Sequence, residues 1–422
     1  MCNKVTTIIA ICILVFAASS ANAAFVVGGE SGWQFSYDGM INAFMTYTVN
    51  DKSPTGTSLN GSIGIDRGPS QAFRVHTGLV PCIMGFNVRS PSIGGIEYAS
   101  RLGIMPQIQN NGTRTGFGPD SLASGSGGSR IDIREVFMTA DGKFGQFLVG
   151  RALNLYQGRN LLTDMTINGV GVNGALLGGG TTLGHIGYGY LYTAFNSQFR
   201  YTTSGYKGLK WAFTINDPSK IASDEGYMAT KVNQPRFETE ISYATTYPGG
   251  KMQAWLSGLY QEAKNNLDNH KVSSIGGAGG VQAAYGPFEV VVSAYGGQAL
   301  GSTFIQDFDA LDYTGKERTQ YGGLGQVVYT IGKVKLGVNY GLNYSERTDA
   351  EKSRQEGVVA PGDNFGPGTA VLKSQQAAVA GVYYSVNKYL QLVGEYSWAR
   401  NSWYNGQKQD ANTGALGIVF VW

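Results

Sequence analysis

From Trp33 to Val49 the odd positions are Trp33, Phe35, Tyr37, Gly39, Ile41, Ala43, Met45, Tyr47 and Val49, all apolar, aromatic or small. Between them stand Gln34, Ser36, Asp38, Asn42, Thr46 and Thr48, with Met40 and Phe44 as exceptions. A period of two sends successive side chains to opposite faces of an extended chain, and here it holds for about three times the usual strand length of 5 to 6 residues. It returns at Ile96, Tyr98, Leu102 and Ile104 against Glu97 and Arg101, and at Phe237, Ile241 and Tyr243 against Glu238, Glu240 and Ser242. In its clearest instance Val334, Leu336, Val338, Tyr340, Leu342 and Tyr344 alternate with Lys333, Lys335, Gly337, Asn339, Gly341 and Asn343. Slipping that strand by one residue carries Lys335 to the apolar face, at a cost of roughly 2 to 4 kcal/mol if lipid lies there.

Continued along the chain, this pattern predicts strands near residues 33–50, 71–89, 96–108, 131–140, 144–151, 195–202, 208–217, 236–247, 250–262, 275–285, 287–298, 320–331, 333–344, 375–386, 389–400 and 411–422. Short connections carry turn residues, as in Asp141-Gly142-Lys143, Pro248-Gly249, Gly286-Pro287 and Asn387-Lys388. Long ones alternate with them, near 51–70, 109–130, 152–194, 218–235, 263–274, 299–319 and 345–374. A soluble β-sandwich also alternates along each strand, but has no reason to sort its loops by length. The expected fold is therefore all-β, a transmembrane antiparallel barrel of about 16 strands, an even number as bacterial outer-membrane barrels require.

Composition agrees. Charged residues are 14% of the chain, against about 25% in ordinary soluble domains, and 62 Gly and 25 Tyr take up part of the difference. With 32 Lys and Arg against 29 Asp and Glu, the net charge of +3 leaves no basic surface for nucleic acid. Aromatics spread along the chain argue against disorder.

Met1–Lys4, the apolar run Val5–Ala18 and the small-x-small site Ala21-Asn22-Ala23 predict a signal peptide over 1–23, followed by the barrel over 24–422. Cys2 and Cys12 leave with it, so Cys82 is a lone thiol in the mature chain, most simply a small buried apolar group. No later run is apolar enough for a membrane helix, so any span is made by strands. At the other end Leu416, Ile418, Phe420 and Trp422 share one face, and the chain stops on an aromatic residue. That spacing resembles the signal read by barrel-assembly machinery.

The run Phe147-Leu148-Val149-Gly150-Arg151 followed by Thr163-Asp164-Met165, and the stretch Ala72-Phe73-Arg74-Val75-His76-Thr77-Gly78, resemble the Gram-negative general porins. The resemblance implies a homotrimer of sixteen-stranded channels in outer-membrane lipid and lipopolysaccharide, with a third loop folded inward to narrow each pore. The residues 152–194 suit that role independently. This longest connection holds only Arg159 and Asp164 as charged residues, whereas 345–374 carries Glu346, Arg347, Asp349, Glu351, Lys352, Arg354, Glu356, Asp363 and Lys373. A long loop so poor in charge is expected to be covered, inside the barrel or against a neighbouring subunit.

By parity Arg74, Arg101, Arg134, Arg200 and Lys210 oppose their apolar neighbours and should point into the lumen. Arg151 shares its parity with Phe147 and Val149, so only a bulge at Gly150 would turn it inward, where the resemblance places it. In that family basic wall residues face acids on the inward loop, and Arg74 and Arg151 match wall positions. The match is incomplete: Met40 stands near a wall lysine of some relatives, Ala194 and Phe195 near a wall arginine, and Asp164 lacks the following Pro-Glu-Phe-Gly-Gly. Fewer loop carboxylates imply weak selectivity, leaning to anions.

The remaining signals are sparse. His76, His185 and His270 have no metal-ligand spacing. Asp307, Asp309 and Asp312 share one outer loop and give only a weak Ca²⁺ pattern, so no cofactor is expected. The function expected is passive diffusion of small hydrophilic solutes, without enzymatic activity. A substrate-selective channel for a sugar or organic anion is the alternative, since Tyr188, Tyr190 and Tyr192 could stack sugar rings, though their spacing equally suits one face of a strand. An outer-membrane hydrolase would need a Ser or Asp beside a His, and no such pair is evident.

Overall fold

The computed structural model describes residues 25–54, 56–57, 70–109, 131–173, 181–223, 226–265, 268–306, 309–353 and 370–422. The expected signal peptide and Asp307 lie outside them. One antiparallel sheet closes on itself as a sixteen-stranded barrel. The first wall strand, Gln34–Asn50, pairs with the last, Lys408–Val421, from Met40 opposite Val421 to Asn50 opposite Ala411. Trp422 completes this seam by exchanging two backbone hydrogen bonds of 3.1 Å with Gly39. Its indole lies so close that a Cβ at Gly39 would sit 2.4 Å from the ring. The short strand Phe25–Gly28 pairs with Gln34–Tyr37, continuing the ladder beyond Trp422.

The alternation read from the sequence sorts into outside and inside. On Val334–Ser345, Val338 is 57% exposed and Asn339 6%. Phe73, Phe199, Leu256, Val292 and Leu416 share the exposed outer wall. Aromatic pairs mark the rim that carries the tight turns: Tyr247 with Tyr285 at 6.5 Å, Phe288 with Tyr329 at 4.7 Å and Phe147 with Tyr201 at 5.0 Å. An apolar belt bordered by rings fits a bilayer and its interface.

Three features depart from the sequence reading. The strand expected over 71–89 is two pieces, Ser70–His76 and Ile83–Arg89, with Thr77–Cys82 turned into the lumen. The run Leu79-Val80-Pro81-Cys82-Ile83 is apolar on both parities and contains a residue with no N–H, so it cannot hold a two-faced ladder. Asn42 substitutes for the missing pairing, accepting from the Gly78 N–H at 2.8 Å and donating to the Val80 carbonyl at 2.9 Å. Second, the connection 299–319 is not an outer loop standing in water. Leu300, Gln306, Leu311 and Asp312 are fully buried, and Tyr192 donates its N–H to Thr303. Third, a bulge between Gly103 and Ile104 leaves Arg134 without an opposite residue, so Arg134 and Glu135 both face inward.

Candidate pore and its inward loop

Residues 154–173 and 181–194 lie inside the barrel. They include a short helix, Gly158–Leu162, and a turn, Met165–Asn168, whose first free N–H, that of Thr166, is capped by Asp164. Two wall glutamates almost half-way round the ring from each other clasp the loop backbone. Glu238 accepts the N–H groups of Leu155 and Tyr156 at 2.8 and 2.9 Å, held itself by Arg236. Glu395 accepts those of Val170 and Gly171, both at 2.8 Å, and the Tyr383 hydroxyl at 2.6 Å. Each satisfies loop amides that have no water at hand.

Between these clasps the wall is built of small residues and amides. A Cβ at Gly341 would fall 1.8 Å from the Tyr188 carbonyl oxygen, and one at Gly276 2.4 Å from the Tyr156 hydroxyl. Asn339 bonds the His185 ring at 2.8 Å, Asn343 accepts from the Gly189 N–H at 2.8 Å, and Gln326 from the Met165 N–H at 2.7 Å. Leu183, Ile186, Tyr188 and Tyr190 pack there with Leu324, Ala377 and Ala399.

The opposite side of the lumen is open. A cavity of about 710 Å³ runs beside the loop to the tight-turn rim, where Gly208, Lys388 and Trp422 line it. Among the described residues from 254 to 420 only Phe304 and Lys388 border it; the wall is otherwise supplied by the first nine strands and by Val421 and Trp422 at the end of the last. Apart from Lys388 at the rim, its charges form three groups. Arg101 lies between two carboxylates, Asp38 at 2.9 Å and Glu135 at 2.7 Å, with Asn87 at 2.9 Å. Arg134 pairs with Asp132 at 2.6 Å and stands over the Phe195 ring at 5.9 Å. Arg159 bonds Glu240 at 2.7 Å and Gln253 at 3.1 Å, with Arg200 within electrostatic reach of that carboxylate and Lys210 within reach of Arg159. Arg200 also donates to the Leu153 carbonyl and to Gln198.

Of the basic residues singled out by parity, Arg101, Arg134, Arg200 and Lys210 border this cavity. Arg74 also faces inward, opposite Thr46, but outside the cavity. Arg151 does not. The register runs unbroken through Gly150, with Phe137 on one side and Gln198 on the other, so parity holds and Arg151 stays exposed with Phe147 on the outer wall. The expected bulge exists one strand earlier, at Arg134.

Asp164 is corrected too. It is 2% exposed and turned away from the arginines, accepting from Thr166, His185 and the Tyr190 hydroxyl, the last at 2.6 Å. Burial and that carboxylate hold the Tyr190 hydroxyl protonated, its pKa well above the usual tyrosine range. The loop thus offers the cavity a cation, Arg159, in place of the expected carboxylate, and pairs it with a wall carboxylate, Glu240. Tyr188 and Tyr190 are buried in the packed side, and only Tyr192 of the three tyrosines reaches the cavity.

Asp38 and Glu240 were visible on the polar parity but carried no weight beside the arginines; Glu135 was hidden by the bulge. Asp312 accepts from Thr314, Lys316 and, in the next outer loop, Thr348, and Asp309 accepts from Ser302, so both brace loop structure. Among the described residues no group of His, Cys, Asp or Glu is placed to hold a metal ion. The His76 ring bonds Thr46 and the Thr77 carbonyl, and the His185 ring Asn339 and the Tyr188 carbonyl, so neither activates a serine. Cys82 is buried, as its lone status suggested.

A closed barrel, apolar outside and lined by charge inside, narrowed by its own loop, is a membrane channel of the outer-membrane kind. The model of the Gram-negative porin family matches residues 10–404, and the chain belongs to that family. Among solved structures it is similar to the outer membrane channel DcaP of Acinetobacter baumannii, with a TM-score of 0.66 and 13% identity over 94% of this chain and 99% of that one. The anion-selective porin from Comamonas acidovorans gives 0.59 and 12%, over 92% and 100%. Salmonella typhi OmpF gives 0.52 and 11%, over 94% and 100%. A search of curated proteins returned no significant match.

Proposed function

We propose that this outer-membrane channel is a passive, non-enzymatic pore for small hydrophilic solutes and ions, weakly selective and leaning to anions. The observation that carries the lean is the cavity lining, where Arg101, Arg134, Arg159, Arg200, Lys210 and Lys388 outnumber Asp38, Asp132, Glu135 and Glu240. That one barrel of the same fold is an anion-selective porin agrees with it. The chain reaches the membrane through the periplasm after loss of residues 1–23, with Leu416, Ile418, Phe420 and Trp422 read by barrel-assembly machinery. It works as a homotrimer among lipid and lipopolysaccharide. Lipid would disfavour the outward Arg151 by roughly 2 to 4 kcal/mol at mid-depth, and a partner subunit covering that wall relieves the cost.

Planar-bilayer conductance tests the reading. Ohmic steps in groups of three, and a zero-current potential of the anion-preferring sign in a KCl gradient, are expected. Absence of conductance removes the pore, and strong cation preference removes the lean.

A further inference from the structure

The cavity has a second character that its charge alone does not convey. Its inward-loop side exposes Leu153, Leu162, Ile167 and Tyr192, and Val80 and Phe195 join them from the wall. These side chains are only partly covered, so they meet whatever fills the lumen. Cations are interleaved with them: Arg134 stands over Phe195, and Arg200 reaches the Leu153 carbonyl. Arg159 and Arg200 act on one carboxylate, Glu240, and Lys210 lies within electrostatic reach of Arg159 and Asp141. A small inorganic anion uses the cations and leaves the apolar side wetted; a sugar uses neither well.

We propose that the pore favours amphipathic organic anions, each a carboxylate joined to an alkyl or aryl body, over inorganic anions and over short hydrophilic carboxylates. This rests on the pore reading above and names its preferred solute. The carboxylate engages Arg200 or Lys210 while the body covers Leu162 or Ile167, all four of which line the same cavity. The apolar contact is non-directional, which lets the solute slide past rather than lodge.

The test is the bi-ionic potential across bilayers holding the full-length trimer, with phenylacetate on one side and acetate on the other. Free diffusion favours the smaller acetate. The proposal expects phenylacetate to be more permeant by at least about threefold, the effect of covering a few tens of Å² of ring. Leu162→Asn, or Ile167→Asn should the first fold poorly, brings the ratio down to one or below. Lys210→Gln lowers the permeability of both anions relative to K⁺. Lys333→Gln, on the exposed tight-turn rim, changes neither. A wild-type ratio at or below one overturns the proposal and leaves the pore intact, as does a ratio indifferent to both loop substitutions. No ohmic conductance in KCl overturns the pore reading and this inference with it.

Discussion

The two sides of this barrel are made from the same alternating strands and do opposite things. On one, Gly341, Asn339, Asn343 and Gln326 bring the loop into direct contact with the wall. On the other, Arg101, Glu135, Arg134 and Lys210 hold the loop away and line the cavity. The wall chooses where the channel runs by the size of its inward side chains, because glycine admits another backbone and a long charged side chain excludes one. Polar parity alone therefore marks the inside of the barrel without marking the pore. A glycine or an amide there packs against the loop, the buried Glu238 and Glu395 accept its N–H groups, and the arginines of the first strands face the cavity.

Substitutions can break this division. Gly341→Val should have the largest effect, since its Cβ would meet the Tyr188 carbonyl; overpacking of this kind costs about 3 kcal/mol, or the loop detaches. A lower trimer melting temperature or a larger single-channel conductance reports it, and neither change would mean that the contact is slack. Glu395→Ala leaves the Val170 and Gly171 amides and the Tyr383 hydroxyl without their acceptor, at about 2 kcal/mol. Thermal unfolding should show the loss with selectivity little altered.

Across the lumen the order of effects reverses. Glu240→Gln should leave the melting temperature nearly in place and raise anion over cation permeability. A unit charge about 8 Å from the ion path in water is worth about 0.5 kcal/mol, a factor of about two. Zero-current potentials read it, and a shift toward cations would refute the charge assignment. Arg151→Gln should have the smallest effect on selectivity, because that guanidinium is outside the lumen. A shift as large as that of Glu240→Gln would return Arg151 to the pore.

Much of the fold was legible because period two is a direct image of a two-sided wall. Most strand positions follow from it, and the covered character of residues 152–173 and 181–194 was legible in their poverty of charge. What was not legible arose where the alternation is interrupted or carries no sign. The bulge at Arg134 adds Glu135 to the lumen by a single extra residue, which no parity count locates. Thr77–Cys82 turns inward because its apolar residues fall on both faces. Asp164 looks in sequence like any pore carboxylate, and only its contacts with Tyr190 and Thr166 show it to be a brace for the loop.

The seam also sets when the molecule can form. Thr48 bonds Thr413 across 365 residues of chain, and the final residue supplies the last ladder bonds to Gly39. Until Trp422 is in place both end strands expose unpaired edges, the kind of surface on which chains associate wrongly. Contacts so distant in sequence form slowly. Breaking the pairing of Trp422 with Gly39 should therefore act as a kinetic defect, prolonging the time the open sheet spends before closure.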